Sequence, residues 1–218
     1  MSWAGAVLRR NRGAAFALAV AVVFYAGLSI ARHDVARLWP YLQVVAVLVV
    51  VTMLADRAAH FSRPMAGALT SLVILHLTGG LMTPVGNAPT FYETWLVNGV
   101  LKYDQVVHAY GSAVLTVACA HLVVGLLGAS VTRGWRLALV AGLMACGLGG
   151  LNEMVEFLFG LNNAHLYAGG MENTGWDLTF NLLGAVIGAV IVASYERRRD
   201  DDLAPRWADA GVSGLRAD

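Results

Sequence analysis

Hydrophobic positions along the chain fall into six long runs, at approximately 14–31, 39–56, 65–82, 105–128, 136–159 and 176–195. Each is close to the ~20 apolar residues that a helix needs to cross the hydrocarbon of a bilayer. The pattern predicts an all-α, polytopic transmembrane bundle of six helices. His76 and a Gly pair interrupt the third run. Arg9-Arg10-Asn11-Arg12 before the first run imitates a signal peptide, but Gly13–Ile30 is long enough to span and no small-residue cleavage site follows it, so it reads as a retained helix. From Glu196 onward the chain is polar and aperiodic. The expected organisation is therefore one transmembrane domain over 1–195 and a cytoplasmic, partly disordered tail over 196–218.

Composition agrees. The chain is 58% hydrophobic and 13% charged, against roughly 25% charged residues in soluble domains. A net charge of +1, with basic runs only at the two ends, gives no electrostatic footprint for nucleic acid. The partner implied is membrane lipid. Charge also sets the expected orientation. With the N-terminus inside, twelve Lys and Arg residues fall on the inner side and three (Arg32, Arg37 and Lys102) on the outer. Basic residues favour cytoplasmic loops, so both termini are expected in the cytoplasm. Cys119 and Cys146 lie within apolar runs and read as small packing residues. The 83–103 loop, with Phe91, Tyr92 and Trp95, is expected to form a short helix in the outer interface, where aromatic residues concentrate.

Candidate chemistry comes from ionisable residues inside the runs, which are costly there and mark functional sites by default. Asp104 opens the fourth helix and His108 lies one turn deeper, roughly 6 Å at 1.5 Å per residue. Glu153 and Glu156 come roughly 25 and 30 Å along the fifth helix from Arg136, at its outer end. Asp177 opens the sixth, with Asn181 a turn below. Spacings of three and four place each pair on one helix face. Three consecutive helices thus bring polar pairs to the same leaflet, with His76 deeper on the third. Glycines extend the faces: Gly142, Cys146 and Gly149 lead to Glu153, and Gly184 and Gly188 follow Asn181. Small residues let membrane helices approach closely. His121 lies about 140° round the helix from His108 and reads as a buried structural histidine. Ser112 beside Gly111 reads as a packing residue.

Four or five carboxylates, counting Glu172, face few bases: His108, Lys102 and, further off, His76 and His165. Carboxylates this close cannot all ionise in a low dielectric. Either some hold protons or a cation sits among them. Carboxylates and imidazole on facing helices form the ligand set of carboxylate-bridged metal bundles, and a divalent Zn, Mn, Fe, Mg or Ca suits it. The expected ligands are Asp104, His108, Glu153, Glu156 and Asp177, with Glu153 and Glu156 as catalytic carboxylates and His76 and Asn181 behind them. Plainer roles remain open. Asp104 with His108 also fits an interfacial ion pair, and Asp177 a helix cap.

Three segments carry a resemblance: Tyr103-Asp104-Gln105-Val106-Val107-His108, Asn152-Glu153-Met154-Val155-Glu156-Phe157 and Thr174-Gly175-Trp176-Asp177-Leu178-Thr179-Phe180-Asn181-Leu182-Leu183-Gly184-Ala185. Their order and spacing resemble the YjdF-like bacterial inner-membrane proteins, a family of unknown function, and more distantly the VanZ-like membrane proteins. The resemblance spans roughly residues 90–190. It implies a multi-pass protein of a bacterial inner (plasma) membrane, and marks Asp104, His108, Glu153, Glu156 and Asp177 as shared polar positions, without implying an activity. Three function classes stay open: a metal-dependent membrane hydrolase acting on a lipid or envelope precursor, a proton-coupled transporter, and a non-catalytic envelope or assembly protein.

Overall fold

The structure is a computed structural model, and it describes residues 3–82, 90–128, 134–162 and 170–211. A short helix α1 (Trp3–Arg10) leads into α2 (Arg12–Ala31), α3 (Val35–Ala59) and α4 (Arg63–Leu81). A small hairpin, β1 (Trp95–Val97) and β2 (Leu101–Lys102), precedes α5 (Tyr103–Leu127), α6 (Gly134–Asn162) and α7 (Met171–Gly211). Six of the helices, α2 to α7, contain stretches long and apolar enough to cross a membrane. The six expected spans are present, each within a few residues of its expected start. Side chains such as Phe16, Val47, Leu143 and Ile187 point outward from the bundle, which suits hydrocarbon as the surrounding solvent.

Local sequence explains the boundaries. Ser62 caps α4 by accepting a hydrogen bond from the Met65 amide (3.3 Å), with Pro64 in the first turn, where its missing N–H costs nothing. His60 ends α3 in the left-handed conformation. Two expectations are corrected. The described part of the 83–103 loop, residues 90–103, contributes an antiparallel hairpin rather than an interfacial helix, with Trp95 opposite Lys102 and a turn at Gly99 (φ +70°). Trp95, Leu96 and Val97 form a consecutive apolar run too short to show a helical face. Asp177 also does not open its helix: α7 starts at Met171, placing Asp177 in the second turn.

The spans pack as two groups of three. In the first, Tyr25, Leu38, Val45, Val73, Leu77 and Leu81 interlock α2, α3 and α4. In the second, Cys119, Ala120, Val123, Leu137, Ala138, Ala141 and Val192 join α5, α6 and α7. Helix α5 belongs to both, because Val114 and Ala118 also pack on Ala59, Phe61 and Met65. The second group is drawn together by its small residues. A Cβ on Gly184 would lie 2.0 Å from the Ala109 carbonyl oxygen, and one on Gly188 would lie 2.6 Å from the Thr116 Cβ. This near-contact of α5 and α7 backbones sets the spacing from which the polar residues of both helices project.

Candidate functional site

The polar residues expected on three helices meet at one end of the α5–α6–α7 group. Asp104, Glu153, Asp177 and Asn181 are buried, and His108 and Glu156 are half-buried. His108 is the hub. Its Nε2 lies 3.4 Å from Asp104 Oδ1 and 3.8 Å from Asp177 Oδ1, and its Nδ1 lies 3.7 Å from Glu153 Oε1. Two groups have donor atoms all within 4.8 Å of one another: Asp104, His108 and Asp177, and His108, Glu153 and Glu156.

Hydrogen bonds orient the hub. Asn181 Oδ1 accepts from Ser112 Oγ (2.8 Å) and lies 3.2 Å from His108 Nδ1. With Nδ1–H donating to that oxygen, the neutral ring presents its Nε2 lone pair to Asp104 and Asp177. The Asn181 amide has room because Gly149 lacks a side chain: a Cβ there would fall 2.7 Å from Asn181 Nδ2. Ser112 is thus a positioning residue, beyond the packing role expected of it. Asn173 Nδ2 donates to Asp177 Oδ2 (2.5 Å), and Asn152 Nδ2 donates to Glu156 Oε1 (2.7 Å). Neither asparagine stood out as a ligand candidate, although each sits four residues before the carboxylate it holds, a spacing that puts both on one face.

The charge balance is severe. Lys102, expected nearby, is turned away to Glu93 (2.6 Å) and the face of Trp95. His165 lies outside the described residues, and Glu172 is exposed on the first turn of α7. Even fully protonated, His108 supplies one positive charge against the carboxylates of Asp104, Glu153, Glu156 and Asp177. Asp177 is 1% exposed, and its Oδ1 has no hydrogen-bond partner among the described residues. Buried polar atoms are nearly always satisfied. An unsatisfied carboxylate oxygen beside an imidazole nitrogen is an arrangement that a bound cation would complete.

His76 stands outside both donor groups, against Tyr92 and Tyr41. Its Nδ1 is 2.6 Å from the Tyr92 hydroxyl, and the same hydroxyl lies 3.1 Å from the His76 carbonyl oxygen. Burial, ahead of the neighbouring Tyr41, Asp104, Glu156 and Tyr103, pushes the Tyr92 hydroxyl well above its ordinary pKa. It therefore stays protonated and can donate to that carbonyl while accepting from His76 Nδ1–H. The two tyrosine rings pack against the Gly pair of α4: a Cβ would fall 2.4 Å from Tyr92 at Gly79 and 1.9 Å from Tyr41 at Gly80. His121 is remote from the cluster and packs edge-on against Phe61.

Residues 13–198 match a family model described as a predicted membrane protein, DUF2238. The chain belongs to this family, the YjdF family. The match runs from the start of α2 to just past the apolar part of α7, so the YjdF fold takes in all six spans, well beyond the three segments that carried the resemblance. No curated protein and no solved structure matches the chain.

Proposed function

We propose that this YjdF-family protein is a divalent-metal-dependent membrane enzyme, a hydrolase acting on a lipid or envelope precursor at the outer leaflet of a bacterial inner membrane. The observation that carries the proposal is the His108 hub: four carboxylates converge on one imidazole with no Lys or Arg paired to them among the described residues, where Asp177 Oδ1 also has no hydrogen-bond partner. Both termini lie in the cytoplasm in this reading, with 196–218 as the cytoplasmic tail, because twelve basic residues then sit inside. His108 Nε2, Asp104 and Asp177 hold the ion, and Glu153 and Glu156 complete its oxygen-rich surroundings, as suits Zn, Mn, Fe, Mg or Ca. Asn181 behind His108 and Asn173 behind Asp177 fix the ligands, as outer hydrogen bonds do in metal sites generally. A bound divalent ion supplies a water acidic enough to act as nucleophile near neutral pH. Glu156, half-buried and hydrogen-bonded by Asn152, would take up its proton, with the buried Glu153 beside it.

A transport path would need polar groups continuing to the opposite end. Ser112 and Thr116 extend the polar face of α5 by two turns, and the helix then turns apolar at Cys119, Ala120 and Val123.

Metal content decides the matter. Protein purified without chelator should carry one or two divalent ions per chain, and its melting temperature should fall on chelation and recover on adding back the ion. Glu153→Gln with Glu156→Gln should abolish both effects. A metal-free protein whose stability ignores added Zn, Mn, Mg, Fe and Ca would overturn the metal, leaving shared protons among the carboxylates.

A further inference from the structure

The hairpin beside the cluster is a second feature with a physical demand of its own. Trp95, Leu96, Val97 and Val100 are exposed by 46%, 48%, 52% and 71%. In a pleated strand, side chains alternate between faces, so three consecutive exposed apolar residues leave both faces of β1 uncovered. A two-stranded hairpin is at best marginally stable in water by itself, and an exposed apolar patch marks an interaction surface.

Its backbone bonds fix the level at which it sits. The Tyr92 amide donates to the Gly79 carbonyl at the end of α4 (3.1 Å). The Tyr103 and Asp104 amides, at the start of α5, donate to the Thr94 (3.0 Å) and Tyr92 (3.1 Å) carbonyls. The hairpin is thus tied to the mouths of two membrane spans and lies at the depth of their ends. Lys102 against Glu93 and over Trp95 adds an amphipathic pair of the kind that favours the boundary between headgroups and acyl chains.

We propose that the 93–102 hairpin is seated in the bilayer itself, with Trp95, Leu96, Val97 and Val100 among the lipids of the leaflet at the cluster end. The occupant of this surface is lipid rather than a protein partner, because the hairpin is held at the level where spans meet headgroups. Its attraction is apolar rather than electrostatic, since the one cation, Lys102, is already paired with Glu93. Seating therefore does not require anionic lipid. Because the Tyr103 amide bonds to Thr94 of this segment and the Asp104 amide to the adjoining Tyr92, the mouth of the cluster then lies at headgroup level, whether or not a metal fills it.

The test is spin-label depth measurement on the full chain in vesicles. With Cys119→Ala and Cys146→Ala as background, single cysteines are placed at Leu96, Val100 and, as an aqueous reference, exposed His60. Labels at Leu96 and Val100 should collide more with oxygen than with a water-soluble nickel chelate, the reverse of His60, equally in phosphatidylcholine alone and with added phosphatidylglycerol. Nickel-dominated collisions at both hairpin positions would overturn the proposal. So would spin–spin coupling between labels on separate chains, which would make the surface a contact between copies. Dependence on phosphatidylglycerol would overturn the apolar account. Monodisperse elution of each labelled protein confirms that the positions are read in folded molecules.

Discussion

Asp56 and Asp177 are buried carboxylates at opposite ends of the bundle, 3% and 1% exposed. Both oxygens of Asp56 are bonded by the Arg10 guanidinium, and Oδ1 also accepts from the Phe61 amide (2.7 Å). That one carboxylate has its own cation and ties α1 to the end of α3. Asp177 shares a single imidazole with three other carboxylates and leaves an oxygen without a hydrogen bond. The difference separates a carboxylate that fastens a fold from one held ready for something else. A structural acid arrives with its counter-charge built in. The cluster around His108 gathers four acids on one imidazole, and acids are costly inside a membrane unless a function retains them.

Arg10→Met leaves the buried Asp56 without its partly exposed cation, and should destabilise the protein by about 2–3 kcal/mol, less than the cost of breaking a fully buried pair because water reaches the Arg10 side. Thermal unfolding in detergent would show this, and a loss well under ~1 kcal/mol would deny Asp56 its structural role. Next in size is Gly184→Ala. Its Cβ must push α7 from the Ala109 carbonyl, at a cost of about 1–3 kcal/mol for overpacking. Metal affinity should fall with it, because Asp177 rides on the same helix; the two measurements together test whether helix spacing sets the site.

Asn181→Ala frees the His108 ring and should lower metal affinity by about 10–100-fold, the range for losing an outer hydrogen bond to a ligand. Calorimetric titration reads this directly, and unchanged affinity would remove Asn181 from the site. The smallest expected change is the sharpest contrast with Asp56. In metal-free protein, Asp177→Asn should shift stability by under about 1 kcal/mol, with a neutral or favourable sign, because it removes a buried charge that has no full partner. A large loss of stability there would make Asp177 a structural acid like Asp56.

Most of this arrangement was legible in the chain itself. Runs of apolar residues have only one stable form in lipid, so the six spans follow from the hydrophobic pattern. Asp104, His108, Glu153 and Asp177 stand out because charge is rare inside such runs, and the spacing of three or four fixes their faces. What escaped was set by contacts distant in the chain or by unseen helix starts. Lys102 turns to Glu93 because a hairpin folds the two together. Arg10 meets Asp56 across 46 positions. Asp177 sits a turn further along its helix than expected because α7 begins at Met171, and in Met171–Gly175 a single apolar residue, Met171, is too little to announce that start. Asn152, inside the fifth apolar run, and Asn173, before the sixth, escaped because an amide carries no charge to mark it.

The sharing of α5 between the two helix groups has a consequence for how the protein is made. Chains enter a membrane from the N-terminus, and spans then associate within it. Helices α2, α3 and α4 can assemble on their own core while the rest is still being synthesised, and α5 has a surface waiting for it. Asp104 and His108 therefore enter the bilayer before any of their partners from α6 and α7 exist. The cluster closes only when the last span, carrying Asp177 and Asn181, slides its glycines against α5. Biogenesis thus withholds the finished site until the whole chain has been inserted, and a truncated product would contain the hub without its surroundings.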